Sequence, residues 1–205
     1  MNNLQASLVA ERCQRNWNAK KLVSDEHVNE IIKVATNMPT EQNKEYYQLV
    51  ASTDQTLNRQ IYNVAIDDNN DGFKKQFHRN GQVLAPLLLI WLSTNPVGDK
   101  FDDSFIEQFQ ISIGISSGAA ALHAASLGYK TGYCCCFKWG IVSSLLKAKG
   151  IKLSEQSVGH GLTLGIGHAK TDYRGDVLVD KKIRLSLRND GVDCNIEKEI
   201  MVHKI

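Results

Sequence analysis

The hydrophobic residues in the first third of the chain recur with helical spacing and then with extended spacing. Between Ser24 and Pro39 they fall at intervals of three and four residues, which predicts an amphipathic helix that ends before the proline. Residues 46–52, YYQLVAS, are aromatic and aliphatic and predict a strand. Thr53 or Asp54 can then cap a second helix, because a short oxygen-bearing side chain satisfies the first free N–H groups.

The middle of the chain contains the most apolar segment and the longest helical one. Residues 83–92 are apolar almost throughout, which predicts a short strand buried on both faces. Residues 103–127 predict a long helix, and Gly128 is placed to end it. The second half of that helix, GISSGAAALHAAS, is nearly all small residues. Small side chains would let a second backbone, a flat ligand or a partner subunit approach it closely.

The remaining segments continue the mixture of helices and strands. A helix is predicted over 140–149, and strands are predicted over 161–167 and 176–187, the last from its alternation of apolar with charged residues. Helices and strands are interleaved along the chain. We therefore predict an α+β layered domain.

Composition narrows the class of protein. The chain has 205 residues, of which 42% are hydrophobic and 22% are charged, as is usual for a globular protein. It has only three prolines and no proline-rich linker, so a single domain is predicted. The formal net charge of +2 lacks the polybasic character of a dedicated nucleic-acid binder. A local basic pocket for a small anion is still compatible with it.

The cellular compartment is predicted from the N-terminus and the cysteines. The first residues, MNNLQASLVAERC, lack the apolar core of a signal peptide. The longest apolar run, 84–92, is interrupted by Pro86 and is about half the length of a membrane span. The cysteines number five, and three of them are consecutive, which favours reduced thiols over a disulfide framework. We expect a cytoplasmic protein with no membrane partner.

Several segments partly match the motifs of known binding or catalytic sites but lack a required residue, spacing or structural context. Residues 67–72 resemble the start of a calcium loop, but His78 stands where the closing glutamate is needed, so a solvated turn is predicted. The glycines within 159–167 do not form a G-x-G-x-x-G fingerprint. No nucleophile elbow is predicted, because the G-x-S-x-G match at 114–118 falls inside the predicted long helix and not at a strand-to-helix turn, which leaves a hydrolase without support.

The consecutive cysteines 134–136 have two open interpretations. Three adjacent thiols do not readily reach one tetrahedral ion, and no C-x-x-C spacing exists, so no metal site is predicted. One interpretation is a buried segment in which small, soft side chains pack well. The other is a backbone role in binding a ligand.

A pair of arginines near the N-terminus is the candidate for holding an anion. Arg12 and Arg15 flank Cys13 and Gln14 at the end of a predicted N-terminal helix. Two guanidinium groups at this spacing can hold a phosphate through charge-assisted hydrogen bonds. An ordinary surface pair of arginines is the alternative.

Four segments, in order, resemble the motifs of the FMN-dependent nitroreductase family. The family's R-R-S-x-R-x-F, P-S-S-x-N-x-Q-P-W, A-x-x-L-G-L-G-T-x-W-I-G-G-F and I-G-Y-P motifs correspond to 11–17, 39–47, 124–137 and 164–169. The resemblance covers roughly residues 5–175. It implies a layered α+β fold with a central mixed or antiparallel sheet, flanking helices and the long helix at a homodimer interface. Chain 1–205 would be one flavin-binding domain with a C-terminal extension from about 176.

The resemblance also implies which residues bind FMN. The phosphate and ribityl chain would be held by Arg12, Cys13 and Arg15, with Lys170 or Arg174 helping to neutralise the phosphate. The edge of the flavin ring would be covered, usually from the other subunit, by Pro39, Thr40, Glu41 and Asn43. Backbone amides near flavin N5 would come from Cys134, Cys135 and Cys136.

The implied activity is hydride transfer from NADH or NADPH through flavin N5 to a nitroaromatic, a quinone or a related small acceptor. Such ping-pong chemistry requires no side-chain acid, because the cofactor carries it. The same fold also serves dehalogenation, flavin fragmentation and substrate dehydrogenation, which stay as alternatives. The sequence departs from the motifs at Glu11, Glu41, Glu45 and Tyr46, and these departures motivate a further alternative, a non-catalytic flavin-binding dimer.

Overall fold

The computed structural model describes residues 14–64, 81–94, 103–153 and 160–170. This part of the chain forms four α-helices, four strands and two short 3₁₀ helices. The α-helices are α1 (Asp25–Thr36), α2 (Gln55–Val64), α3 (Asp103–Ser126) and α4 (Trp139–Ala148). The strands are β1 (Tyr47–Ser52), β2 (Leu87–Ser93), β3 (Lys130–Cys134) and β4 (Gly161–Gly167). The 3₁₀ helices are Glu41–Asn43 and Gly81–Leu84.

The four described strands form one antiparallel sheet in the order β1-β2-β4-β3. Helices lie on both faces of it. The predicted α+β layered fold is therefore confirmed. The predicted N-terminal helix, the turn at 67–72 and the strand at 176–187 lie outside the described residues.

The ends of the helices are set by local hydrogen bonds. The Ser24 hydroxyl accepts from the His27 N–H at 3.3 Å and caps α1. Asp54, rather than Thr53, caps α2, because its carboxylate accepts from the N–H groups of Thr56 and Leu57 at 2.8 and 3.1 Å. These contacts confirm the predicted starts of both helices.

The end of α3 depends on a glycine in a left-handed conformation. Gly128 has φ of +90°, and its N–H bonds to the carbonyl of Ala125 at 2.9 Å. The next N–H, of Tyr129, bonds to the carbonyl of Ala124 at 3.0 Å. This pair of bonds is a Schellman motif, which favours glycine because a side chain is strained at this φ. The predicted end of the helix is confirmed.

The predicted strand over 83–92 is correct only in its second part. Residues Gly81–Leu84 form a 3₁₀ helix, and β2 begins at Leu87. Pro86 accounts for the difference, because proline has no N–H to donate to the ladder of a central strand. All seven residues of β2 are buried, as predicted.

The side chains of β2 alternate between two cores. Leu87, Leu89 and Trp91 face one cluster, which includes residues of α1 and α3. Leu88, Ile90 and Leu92 face the other, which includes residues of α2 and α4. The sheet is therefore the middle of three layers.

The small residues of α3 allow it to pack closely on the first of these cores. The Trp91 indole N–H donates to the Ser116 hydroxyl at 2.9 Å. That hydroxyl donates to the Ala35 carbonyl at 2.7 Å. A single buried serine thus links α1, α3 and the sheet, and every group in the chain of hydrogen bonds has a partner.

Strand β4 has glycines on the face opposite its large apolar side chains. Gly165 is paired with Gly132 of β3. A side chain at Gly165 would overlap the carbonyl oxygen of Gln82, and one at Gly132 would overlap that of Gln14. The two glycines therefore let two other backbone segments lie directly on the sheet.

We predict that Gly165→Ala destabilises the protein by about 1–3 kcal/mol, because the added methyl group forces the 3₁₀ helix away from the sheet. The free energy of urea unfolding measures this loss. Ser144→Ala, on the exposed side of α4, is the control and should change stability by less than about 0.5 kcal/mol. Equal stability of the two variants would contradict the close approach.

Candidate functional site

The segment 14–18 joins the start of β3 to the chain that follows β4. The Gln14 N–H donates to the Thr131 carbonyl at 2.7 Å. The Asn18 N–H donates to the His168 carbonyl at 2.8 Å, and the Lys170 N–H donates to the Asn16 carbonyl at 3.2 Å. We call this region the N-terminal junction, meaning residues 14–18 together with 168–170.

The 3₁₀ helix Gly81–Leu84 holds the junction in place. The Trp17 indole N–H donates to the Gly81 carbonyl at 2.8 Å, and Trp17 is itself buried. A side chain at Gly81 would lie 2.7 Å from the Arg15 carbonyl, which is closer than real contacts allow. Gly81 therefore permits the segment that carries Arg15 to pack against the rest of the chain.

The junction brings two of the predicted phosphate-binding cations near each other. Arg15 is half-buried and directly precedes Asn16, whose carbonyl bonds to the N–H of Lys170. His168 adds little positive charge at neutral pH, because burial, followed by the charge of Lys21, lowers the pKa of its imidazole. Arg12, Cys13 and Arg174, the other residues predicted for this role, lie outside the described residues.

Strand β3 leads from the junction to the consecutive cysteines. Thr131, at the start of the strand, bonds to Gln14, and Cys134 is its last residue. From Thr131 to Cys135 is four residues, or about 13 Å at ~3.3 Å per residue of strand. Arg15, Lys170 and the consecutive cysteines thus lie along one edge of the described sheet.

The interpretation of the cysteines as a buried segment is wrong for two of the three. Cys134 is buried, whereas Cys135 and Cys136 are exposed. The reason is that β3 ends at Cys134, opposite Thr163, and the chain then leaves the sheet toward α4. The N–H of Phe137 bonds to the Cys135 carbonyl at 2.9 Å within this connection.

The segment that contains Pro39, Thr40, Glu41 and Asn43 lies elsewhere. It precedes β1, and β1 and β3 are the opposite edge strands of the described sheet. Three strand spacings, about 14 Å, separate those edges. One copy of the chain therefore does not bring this segment to Cys134–Cys136.

The same segment forms a tight, exposed turn. Gln42 and Asn43 have φ of 52° and 56°, which is uncommon for residues with side chains. The Thr40 hydroxyl donates to the Lys44 carbonyl at 2.8 Å and the Asn43 N–H donates to the Thr40 carbonyl at 3.1 Å. These bonds across the turn hold it in this conformation.

Two departures from the family motif, Glu41 and Tyr46, contact each other. The Tyr46 hydroxyl donates to the Glu41 carboxylate at 2.6 Å. The ring of Tyr46 is buried against Phe105, with 5.3 Å between ring centroids. The hydrogen bond to Glu41, followed by burial, raises the pKa of Tyr46. Tyr46 therefore determines where the Glu41 carboxylate lies.

Sequence reasoning missed several residues that build the junction. These residues make it by backbone contacts or through buried side chains: Gln14, Trp17, Gly81 and Gln82. The Gln82 amide, for example, donates to the Tyr133 carbonyl at 2.9 Å. The signal available in the sequence was the alternation of glycine with leucine and isoleucine in GLTLGIG, which marks a face that other backbone covers.

Within the described ranges, no group of three or more histidine, cysteine or acidic side chains is placed to hold a metal ion. In the same ranges, no helix is both long and apolar enough to cross a bilayer.

We predict that the stability of the Tyr46→Phe variant falls less steeply with rising alkaline pH than that of the unsubstituted protein. A pKa that is raised on folding stabilises the protein fully below the ordinary tyrosine value of 10.0. That stabilisation is lost as the pH rises through the higher value of the folded state. The urea midpoint of the unsubstituted protein should thus fall more steeply above about pH 10 than that of the variant. Parallel profiles would contradict the Tyr46–Glu41 hydrogen bond.

Comparison with known proteins identifies the fold. No protein-family model matches the sequence, and no curated protein matches it. Solved structures do match. A nitroreductase with bound FMN from Bacteroides fragilis has a TM-score of 0.64 at 16% identity, with 100% of each chain covered. A BluB-like flavoprotein from Clostridium difficile has a TM-score of 0.63 at 20% identity, covering 85% of this chain and 93% of the other.

A third similar structure is the NADPH:FMN oxidoreductase from Vibrio harveyi, in complex with NAD+. Its TM-score is 0.59 at 17% identity, covering 87% of this chain and 73% of the other. At these identities the likeness concerns the fold and not the activity. The order of helices and strands and the antiparallel sheet agree with it, and the chain has the nitroreductase fold.

Proposed function

We propose that the protein is an FMN-dependent oxidoreductase that takes hydride from NADH or NADPH and delivers it to a nitroaromatic, a quinone or a related small acceptor. The observation that carries this proposal is the edge of the sheet along β3. Arg15 and Lys170 lie near one end of β3, and the exposed Cys135–Cys136 backbone lies beyond its other end. The fold is shared with a protein that binds FMN.

The residues of the junction suit a phosphate. The Arg15 guanidinium can bind phosphate oxygens in pairs, and Lys170 is an exposed residue whose backbone bonds to Asn16, the next residue after Arg15. The whole chain carries a formal charge of only +2, so this positive charge is local. Arg12 and Arg174, close by in sequence, would add to it. FMN, when bound, supplies the hydride chemistry, and the protein supplies its binding and orientation.

The connection after β3 suits the other end of the cofactor. Backbone N–H groups at Cys135 and Cys136 could donate to the flavin ring whatever their side chains are. Trp139 and Phe137 pack behind this connection, with 5.6 Å between their ring centroids, and both are buried. A rigid aromatic support of this kind keeps a hydrogen-bonding backbone in one geometry.

A complete site on this proposal needs a second copy of the chain. Pro39, Thr40, Glu41 and Asn43 lie at the opposite edge of the sheet from the cysteines, so the partner's copy of this segment would cover the flavin. Helix α3 offers the surface for pairing. Its outer side exposes Ile111, Ile115 and Leu122, 37–48% accessible. Gly114 and Gly118 lie among them, with open space where a side chain would be.

The proposal is tested by an absorbance spectrum from about 300 to 550 nm, taken before and after anaerobic NADH or NADPH. We expect a flavin spectrum that the nicotinamide bleaches. Arg15→Ala should weaken FMN binding by roughly ten- to a hundredfold, because charge-assisted hydrogen bonds contribute about 1.5–3 kcal/mol. The dissociation constant is measured by quenching of flavin fluorescence.

Arg59→Ala is the matched control, since it removes the same charge from the exposed side of α2. It should leave FMN binding unchanged. A protein that stays colourless after incubation with FMN would refute the proposal. A protein that is yellow but is never bleached would favour the non-catalytic flavin-binding alternative.

We expect Ile115→Asp to convert the dimer into monomers, because it places a charge in the centre of the apolar surface of α3. Light scattering coupled to size exclusion measures the mass. Ser144→Asp, which places the same charge on the exposed side of α4, should stay dimeric. A monomeric unsubstituted protein would contradict the pairing, and a dimer that survives Ile115→Asp would place the interface elsewhere.

A further inference from the structure

The side chains of the consecutive cysteines have no role in the proposed hydride transfer, which would use only their backbone. They are the cysteines of the described part of the chain, and all three are free thiols. Cys134 is buried and Cys135 and Cys136 are exposed. The three adjacent thiols therefore differ in how easily a reagent in solution can reach them.

Cys134 and Cys136 are separated by a single residue, so their Cα atoms are at most ~7 Å apart. A side-chain hydrogen bond with Cys136, followed by burial, raises the pKa of the Cys134 thiol.

Cys134 is firmly held, and Cys136 is open to solvent. The Cys134 carbonyl accepts a hydrogen bond from the buried Thr163 hydroxyl at 2.8 Å. The Cys134 side chain belongs to the core beside Trp139 and Val142. A small oxidant can therefore reach Cys136 before it reaches Cys134.

Cys135 differs from both neighbours. Desolvation, followed by the charge of the adjacent Cys136 sulfur, raises the pKa of its thiol. A disulfide from Cys135 to either neighbour would join adjacent residues, whose Cα atoms are only ~3.8 Å apart, closer than an unstrained disulfide allows.

We propose that Cys134 and Cys136 form a redox-active dithiol that a hydroperoxide oxidises to an intramolecular disulfide. Cys136, as the thiolate, attacks one peroxide oxygen and breaks the O–O bond. With hydrogen peroxide this step leaves a sulfenic acid on Cys136 and releases water after protonation. The sulfur of Cys134 then attacks the sulfenic sulfur, loses its proton and expels a second water. Two thiols lose two electrons and two protons, and one peroxide is reduced to two water molecules.

The disulfide would be reversible. Two molecules of a small thiol return it to the dithiol by exchange and leave as their own disulfide. The ring between positions i and i+2 is short, and disulfides with constrained geometry are the more easily reduced ones. A reversible modification is expected, in contrast to a structural cross-link.

The experiment uses the whole protein, with and without FMN, and hydrogen peroxide as the oxidant. Cleavage after lysine releases residues 131–138, TGYCCCFK, which contain all three cysteines and neither of the other two. Free thiols are blocked with iodoacetamide before reduction, and newly released thiols are blocked with N-ethylmaleimide afterwards. Fragment-ion spectra then show which label each cysteine carries. After peroxide treatment, we expect iodoacetamide on Cys135 and N-ethylmaleimide on Cys134 and Cys136. When dithiothreitol reduces the oxidised protein before the first label is added, no cysteine should carry N-ethylmaleimide.

Two single variants are compared. Cys135→Ser should form the disulfide as the unsubstituted protein does. Cys136→Ser, an exposed and mild substitution, should lose the N-ethylmaleimide label on Cys134 completely. Label at Cys135 together with either neighbour, sulfinic acid on Cys136 without any disulfide, or three free thiols after excess peroxide would each overturn the proposal. The readout does not require bound flavin, so it is distinct from failure of the proposed oxidoreductase activity.

Discussion

The candidate site depends on a close approach of backbones at a pair of glycines. Gly132 and Gly165 are partners across β3 and β4, and the carbonyls of Gln14 and Gln82 occupy the space that their side chains would need. Because these two segments lie directly on the sheet, Trp17 can reach Gly81, and Arg15 is carried to the region of Lys170. A larger residue at either glycine would displace the support of the site and leave the hydrophobic cores largely intact.

The repeating elements could be predicted from the sequence, because their periodicity follows from which faces are buried. The apolar stripe that begins after Ser24 predicted α1, and the apolar residues 83–92 predicted β2 with both faces buried. The start of β2 was missed because hydrophobicity alone does not show that Pro86 interrupts a ladder. The glycines of β4 lack the spacing of a nucleotide-binding fingerprint, and their role depends on segments far away in sequence. Of the two interpretations left open for the cysteines, burial is wrong for Cys135 and Cys136, because a run of small, soft residues does not show where a strand ends.

Two residues that depart from the family motif contact each other in the structure. Glu41 and Tyr46 each differ from the family pattern, and both departures motivate the non-catalytic alternative. In the structure Tyr46 donates a hydrogen bond to Glu41 while its ring packs on Phe105. The carboxylate is thus held by a buried side chain of its own segment, which a comparison of single positions with a motif does not reveal.

The N-terminal junction also bears on the order in which the protein folds. Its hydrogen bonds join Gln14 to Thr131 and Asn16 to Lys170, pairs that are more than one hundred residues apart. Closing such long loops costs entropy before any contact repays it, so contacts of this kind form late. The hairpin-like pairing of β1 with β2 and the packing of α1 on α3 span shorter separations and can precede it. During synthesis, the region that carries Arg15 must wait until nearly the whole described chain has emerged before it can reach its place.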